Sequence, residues 1–370
     1  MLKSFEVTGF KNFQNTFSMD FSKVRDYKFN ESCIKNSIIG NAIIYGKNSS
    51  GKTNWGLALF DIVSHLTSNN VTPGLYDNYI NIASGRGEAE FRYVFQFDED
   101  IVKYEYVKDD DKTLVSERLL VNDNLFLYKE YCDNGEEDLC GVKEIAPTLN
   151  FSFIKDESIL RYILNNAALS PEHSLYKMMQ FVSNMLWYRN LDENRYIGYK
   201  SSSKDYYTFI FDIPNAMQEF QEILQSAGID VALSKEKDTD GKFRLYASPS
   251  CDPLGKIPFY ETASSGTRAL YSYFYWKKTS PNLSLLFIDE FDAYYHFELA
   301  EAIQKELQTL PAQVITTSHN TNLLTNRIMR PDCYFILSEK RLVSFADATK
   351  RELREGHNLE KLYMSGEFNG

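Results

Sequence analysis

Two spacings of apolar residues alternate along the chain. The N-terminal run KSFEVTGFKNF switches between apolar and polar residues as a half-buried strand does, and irregular polar sequence follows to about Asn36. Ala42–Tyr45 abandons that alternation for four mostly apolar residues in a row, the pattern of a strand buried on both faces. Trp55, Leu57, Ala58, Leu59, Ile62, Val63 and Leu66 then cover one broad face at helical spacing. Alternation returns in AEFRYVFQFDEDIVKYEYVKDD, two aromatic-rich runs around Asp98-Glu99-Asp100 that predict an antiparallel hairpin, and runs near Ser116–Val121 and Leu125–Tyr131 extend it. From about Glu157 to Asn190 the spacing is helical, in SILRYILNNAALS and HSLYKMMQFVSNMLWY. NAMQEFQEILQSAG predicts one more amphipathic helix, stopping at a glycine. Leu285–Ile288 is a second short buried run, FELAEAIQKELQTLP predicts a helix ending before Pro311, and AQVITTSH supplies a third, β-branched strand. The chain thus divides into a strand-rich part (1–150), a mainly helical insert (151–250) and a C-terminal α/β part (251–370). Neither internal repeats nor a long heptad array is present, which excludes an extended coiled-coil arm.

Composition narrows the class. With 370 residues, 43% hydrophobic and 15% aromatic, the chain can bury one large core or two ordinary ones. No apolar run approaches membrane length, and MLKSFEVTGF lacks the basic start and apolar core of a signal peptide, so a soluble, cytoplasmic protein with no membrane partner is expected. Cys33, Cys132, Cys140, Cys251 and Cys333 are scattered without C-x-x-C spacing, which points to reduced thiols rather than a zinc site or disulfide framework. A net charge of −11 argues against a uniformly basic nucleic-acid binder, although a local basic groove would still be compatible with DNA.

The candidate chemistry sits where the buried runs end. Gly46 to Thr53, GKNSSGKT, fits G-x-x-x-x-G-K-[ST] between a predicted strand and a predicted helix, the context in which such a loop cradles phosphate. Gly46 and Gly51 let the backbone curl so that N–H groups face phosphate oxygens, Lys52 brings charge to the β- and γ-phosphates, and Thr53 offers a hydroxyl to Mg²⁺. The run Leu285–Ile288 delivers Asp289 and Glu290 to a strand's C-terminal end, where open α/β sheets place ligands. Asp289 is the expected Mg²⁺ ligand, directly or through water, and Glu290 the group that polarises an attacking water. His319 ends the third strand. Ser264-Ser265-Gly266-Thr267 opens a helix, either as a simple cap or as an anion site.

Taken in order, these elements resemble the ATPase heads of the ABC superfamily, in the branch containing the RecF and structural-maintenance-of-chromosomes proteins. They are most similar to the compact ATPases of bacterial abortive-infection and antiphage systems, often called the AAA-15 type. GKNSSGKT looks like their Walker A, LLFIDE their Walker B, FDAYYH the D-loop and TTSHN the H-loop. SSGTR looks like a signature motif in which Ser264 and Gly266 match, while Ser265 and Thr267 depart from the usual Gly and Gln. VTGFKNF and LEKLYMSGEFNG also look like this group's ends, so the resemblance runs almost end to end. It implies an α/β fold, an ABC-ATPase-like P-loop head with a mixed central sheet, an antiparallel β subdomain and a helical insert in place of a long coiled coil. Residues 1–150 and 251–370 would form the two parts of the head. It further implies that Gly46, Lys47, Asn48, Ser49, Ser50, Gly51, Lys52 and Thr53 bind ATP, that Thr53 and Asp289 hold Mg²⁺, and that Glu290 is the base. His319 would contact the γ-phosphate, and Ser264 and Gly266 would act across a homodimer or higher homo-oligomer. Gln96 is a candidate Q-loop residue touching Mg²⁺ or water, or else an ordinary hairpin residue.

Two functions follow from the resemblance. One is a regulatory ATPase that senses phage infection and controls a separate toxin or nuclease. The alternative is a RecF/SMC-like ATPase acting on DNA in repair or recombination. The missing coiled coil and the acidic balance favour the first. A non-hydrolysing scaffold switched by nucleotide is a third reading, against which Glu290 argues.

Overall fold

The computed structural model describes residues 1–151, 154, 157–190, 195–199, 205–249, 255–339 and 341–368. Of the five cysteines, Cys251 lies outside these residues; Cys33 and Cys333 are buried, Cys132 and Cys140 exposed, and all four are free thiols.

The central sheet has eight strands in the spatial order Leu342–Ser344, Tyr334–Leu337, Asn41–Tyr45, Gln313–Thr317, Leu285–Asp289, Met185–Arg189, Tyr196–Gly198 and Asn70–Val71. Tyr334–Leu337 through Met185–Arg189 run parallel, and the remaining strands pair antiparallel at the two edges. All five residues of Asn41–Tyr45, Leu285–Asp289 and Gln313–Thr317 are buried, as parallel strands covered on both faces must be. Their registers align the ends: Thr317 lies opposite Ile44, Thr316 opposite Ile288, and Asp289 opposite Arg189.

A second sheet of seven strands is antiparallel throughout and contains the expected hairpin Ala89–Phe97/Asp100–Lys108 together with the N-terminal strand Leu2–Thr8. The two sheets clasp the helix Lys52–Leu59. Trp55 on that helix meets the Phe5 ring of the antiparallel sheet at 5.1 Å between centroids. Gly56 faces the other way, where a Cβ would come within 2.6 Å of Trp187 Nε1 and 2.8 Å of Phe287. Trp55 is fully buried, and truncating such a side chain costs about 3–5 kcal/mol.

The helical face expected from Trp55 to Leu66 is divided at Phe60, and a second helix covers Asp61–Leu66. Asp61 is fully buried at the break, accepting from Tyr79 Oη at 2.8 Å and from Lys108 Nζ at 2.8 Å. The insert departs further from expectation. The helix read through HSLYKMMQFVSNMLWY covers only Ser174–Ser183; Asn184 caps it, and Met185–Arg189 joins the parallel ladder. Met185 to Tyr188 are all buried, so this run is apolar because both its faces are covered rather than because one face of a helix is. Tyr196–Gly198 and the strands Val231–Lys237 and Phe243–Pro249 add to the β content, so the described insert mixes helix with strand. Its helix Ala216–Ser226 packs Phe220 on Phe274 and Tyr271 of the helix Ser265–Thr279, at ring-centroid distances of 5.3 and 5.2 Å.

Candidate nucleotide site

Asn41–Tyr45 runs out of the sheet into a tight loop and then into the helix that starts at Lys52. Two glycines make the loop feasible. A Cβ on Gly46 would stand 2.5 Å from Ser50 Oγ and 2.6 Å from the Leu337 carbonyl oxygen, and Gly51 has φ +99°, a conformation that side chains rarely adopt. The helix begins without a side-chain cap, leaving its first N–H groups to a ligand or to water. Lys47, Asn48 and Ser49 are exposed, whereas Ser50 is buried and its hydroxyl has no hydrogen-bond partner.

Lys52 is 6% exposed and turns back over the loop, donating to the carbonyl oxygens of Gly46 at 2.9 Å and Lys47 at 3.3 Å. Burial lowers its pKa to about 8, against the pull of Asp289 and Glu290, so it stays mostly cationic at pH 7. Thr53 Oγ1 donates to Asp289 Oδ2 at 2.6 Å, joining loop and acidic strand across 236 positions of sequence. Asp289 is fully buried and its second oxygen accepts from Thr317 Oγ1 at 2.7 Å. Burial raises its pKa, while the two hydroxyls and Arg189 pull it back.

Glu290 has φ +51°, a strained angle for a residue with a Cβ, of the kind that costs about 1–3 kcal/mol and persists only where the surroundings enforce it. Those surroundings are visible. Glu290 N–H donates to Thr317 Oγ1 at 2.7 Å, and Phe291 N–H to the Thr317 carbonyl at 3.1 Å. Asn190 brackets the other side, its N–H on the Asp289 carbonyl at 3.0 Å and its Nδ2 on the Phe291 carbonyl at 2.6 Å. The Glu290 side chain accepts from Arg189 Nη2 at 3.2 Å.

His319 is exposed just past the Gln313–Thr317 strand, and its pKa is lowered first by desolvation and then by Lys52, against the pull of Glu290, which favours the neutral imidazole. A cleft of about 390 Å³ is lined by Asn12, residues 48–54, Glu290 and His319. Thus the loop 48–53, Glu290 and His319 share one cleft, with Asp289 joined to it through Thr53. The oxygen donors of Thr53 and Asp289 suit a hard cation such as Mg²⁺, and the unpartnered Ser50 hydroxyl and the Lys52 ammonium resting on loop carbonyls suit phosphate oxygens. The residues present therefore fit magnesium nucleotide.

Ser264 and Gly266 are not brought to this cleft. Ser264 caps its own helix, Oγ accepting from Thr267 N–H at 3.2 Å, and a Cβ on Gly266 would stand 3.0 Å from the carbonyl oxygen of Tyr294 in the segment after Walker B. Gln96 is also placed elsewhere. Its carbonyl takes the Met1 amino group at 2.6 Å, and the neighbouring Leu2 binds Gln313 at the beginning of its strand, so Gln96 lies toward the N-terminal edge of the parallel strands while the cleft is at their C-terminal edge. Its side chain reaches the Asp98 carbonyl at 3.4 Å, as an ordinary hairpin residue would. The position beside Walker B is held instead by Arg189 and Asn190, which the helical reading of their segment hid. Asn12, which no motif in the sequence marks as a site residue, also lines the cleft: its Nδ2 reaches the Ser50 carbonyl at 3.4 Å and its Oδ1 accepts from Asn54 at 2.7 Å.

Residues 42–325 match the family model described as "AAA domain, putative AbiEii toxin, Type IV TA system". The chain belongs to this AAA family. P-loop ATPase chemistry is thereby the family's, as the loop and acidic strand already suggested. Among solved structures the chain is similar to the Smc head bound to the C-winged helix domain of ScpA, at 15% identity, covering 93% of this chain and 96% of that one with a TM-score of 0.46. It is similar to the SMC head domain from Thermotoga maritima at 12% identity, 93% and 97% coverage and a TM-score of 0.41. It is also similar to the Smc head domain with an extended coiled coil bound to the C-terminal domain of ScpA derived from Pyrococcus furiosus, at 12% identity, 93% and 95% coverage and a TM-score of 0.44. No curated protein matches the chain. No helix among the described residues is long and apolar enough to cross a membrane, and among those residues no three or more His, Cys, Asp or Glu side chains gather as an all-protein metal cage.

Proposed function

We propose that this AAA-family chain binds and hydrolyses ATP as the regulatory ATPase of an antiphage system, its nucleotide cycle controlling a separate toxin or nuclease. The observation that carries the ATPase reading is the 2.6 Å bond between Thr53 and Asp289 at the floor of a cleft that also holds Lys52, Glu290 and His319. The family's association with a toxin system supports the regulatory role.

In this reading residues 46–53 bind the phosphates through backbone N–H groups and Lys52, and Thr53 with Asp289 holds Mg²⁺. Bound Mg²⁺ supplies charge neutralisation for the terminal phosphates. Glu290 orients and accepts a proton from the attacking water, and neutral His319 donates a hydrogen bond to the γ-phosphate. Ser264 and Gly266, which do not line the cleft of their own chain, contact the nucleotide of a second copy. Residues 1–150 and 251–370 make up the head together with the strands Met185–Arg189 and Tyr196–Gly198, and the rest of 151–250 is the insert.

Lys52→Ala should abolish nucleotide binding, whereas Glu290→Gln should bind ATP normally and lose turnover by about 10²- to 10⁴-fold. Turnover of Glu290→Gln equal to that of the unaltered chain would place the base elsewhere. Affinity purification of the Glu290→Gln chain with identification of bound protein and nucleic acid tests the role: a copurifying toxin or nuclease supports it, and stoichiometric DNA with no protein partner replaces it with the DNA-acting alternative.

A further inference from the structure

Arg189 closes the strand Met185–Arg189 directly opposite Asp289 in the parallel ladder, so sheet register brings it to the acidic pair. Its Nη2 is 3.2 Å from Glu290 Oε1 and its Nε 3.6 Å from Asp289 Oδ2. The next residue fixes the strand end, since Asn190 bonds both the Asp289 and the Phe291 carbonyls. Asp289 already receives hydroxyl bonds from Thr53 and Thr317, one on each oxygen. What Arg189 adds at Asp289 is therefore charge, and at Glu290 charge with one hydrogen bond, beside two adjacent carboxylates of which one has 0% side-chain exposure.

We propose that Arg189 is a resident counter-ion of the Walker B pair, a positioning residue that steadies Glu290 in the nucleotide-free head and competes with the divalent cation for the same two carboxylates. The inference rests on the nucleotide-site reading above. A divalent cation held by Asp289 and Thr53 meets a guanidinium that already spans Asp289 and Glu290, so their repulsion must either swing Arg189 outward or weaken the cation. The Arg189 side chain is 29% exposed, which leaves it a path toward solvent. Lys52 is also cationic but is tied to the Gly46 and Lys47 carbonyls on the phosphate side of the cleft.

The test is the Mg²⁺ concentration at which the full chain half-saturates with a fluorescent, non-hydrolysable ATP analogue, supported by Mn²⁺ binding followed by electron paramagnetic resonance. Arg189→Gln should lower the Mg²⁺ midpoint by about three- to thirty-fold, the span expected for removing one unit charge a few ångströms from a divalent ion under partial screening. Arg189→Met, which keeps the aliphatic stem, should behave the same way, and Arg189→Lys should stay within about two-fold of the unaltered chain. The direction separates this from lost packing, because a loosened site binds the cation more weakly. A midpoint that is unchanged or raised in whichever of Arg189→Gln and Arg189→Met folds overturns the inference while leaving the nucleotide-site reading intact. An unaltered chain that binds no analogue at any Mg²⁺ concentration overturns both.

Discussion

Thr317→Val replaces one buried hydroxyl by a methyl of nearly the same shape and removes two bonds at once. Thr317 is fully buried, donates to Asp289 Oδ1 at 2.7 Å and accepts from Glu290 N–H at 2.7 Å. The bond to an ionised carboxylate contributes about 1.5–3 kcal/mol and the neutral bond about 1, so the loss should be about 2.5–4 kcal/mol, with Asp289 left partly unpaired in a dry environment. The adjacent Thr316 provides an internal comparison: it is equally buried but bonds only the neutral Gln304 Oε1, at 3.3 Å, and Thr316→Val should cost about 0.5–1.5 kcal/mol. Because the Thr317 hydroxyl also holds Glu290 in its left-handed conformation, Thr317→Val should lower kcat for ATP hydrolysis by at least about ten-fold, while Thr316→Val leaves it within about two-fold. Thermal unfolding and steady-state ATPase kinetics on the two variants measure both effects. If Thr317→Val is no less stable than Thr316→Val and retains kcat, then the paired hydroxyl bonds are not what positions Glu290.

His65 is buried with Nε2 2.7 Å from Tyr104 Oη, and desolvation, reinforced by Lys108 and Arg161, holds its pKa well below 6.5. A base depressed in the folded state binds its proton more readily when unfolded, so its contribution is present above about pH 6.5 and is lost as pH falls below it, by up to about 1.4 kcal/mol per pH unit. Unfolding free energies from pH 8 to 5 should show a steeper acid decline for the unaltered chain than for His65→Gln, and identical slopes would refute the claim. For assembly, Lys52→Ala and Ser264→Arg chains should each be inactive, whereas mixed dimers captured through two tags should recover up to about half the activity per dimer, because one site then joins an intact Walker A to an intact signature. Confirmed mixed dimers as dead as either parent, together with an isolated unaltered monomer active at full rate, would reduce Ser264 to a helix cap.

The parts of this fold that could be read in advance are those whose burial is symmetrical or strictly alternating. Ala42–Tyr45 and Leu285–Ile288 are apolar at every position because helices or a second sheet cover both faces, and the hairpin at Asp98–Asp100 alternates because one face is buried. Met185–Arg189 defeated the same reasoning, since a short apolar run directly after an amphipathic helix prolongs the helical pattern, and only pairing with a strand 100 positions away shows it to be a strand. The break at Phe60 is equally non-local. Asp61 is drawn into a buried network with Tyr79 and Lys108, partners that helical spacing cannot report. Gln96 shows the opposite failure, a suitable residue type in a suitable place along the chain whose sheet carries it to the wrong edge.

The distribution of rigidity over the cleft bears on what remains to be supplied. Every group at the Walker B side is over-determined: Asp289 by two hydroxyls, Glu290 by Thr317, and both by the Asn190 bracket. Lys47, Asn48, Ser49 and His319, by contrast, are exposed on the outer side. An electrostatic site accelerates phosphoryl transfer chiefly by excluding water around fixed dipoles, which an open rim does not accomplish. The Ser264 helix terminus is well formed, capped by its own hydroxyl and close against Tyr294, yet it does not line the cleft of its own chain. A rigid floor, an open rim and a capped helix terminus outside the cleft are the parts expected of a half-site, and they support closure by a second copy. The mixed-dimer experiment therefore bears on the whole mechanism: if one chain alone reaches full turnover, the open rim must be closed from within, and the exposed loop residues 47–49 become the segment that moves.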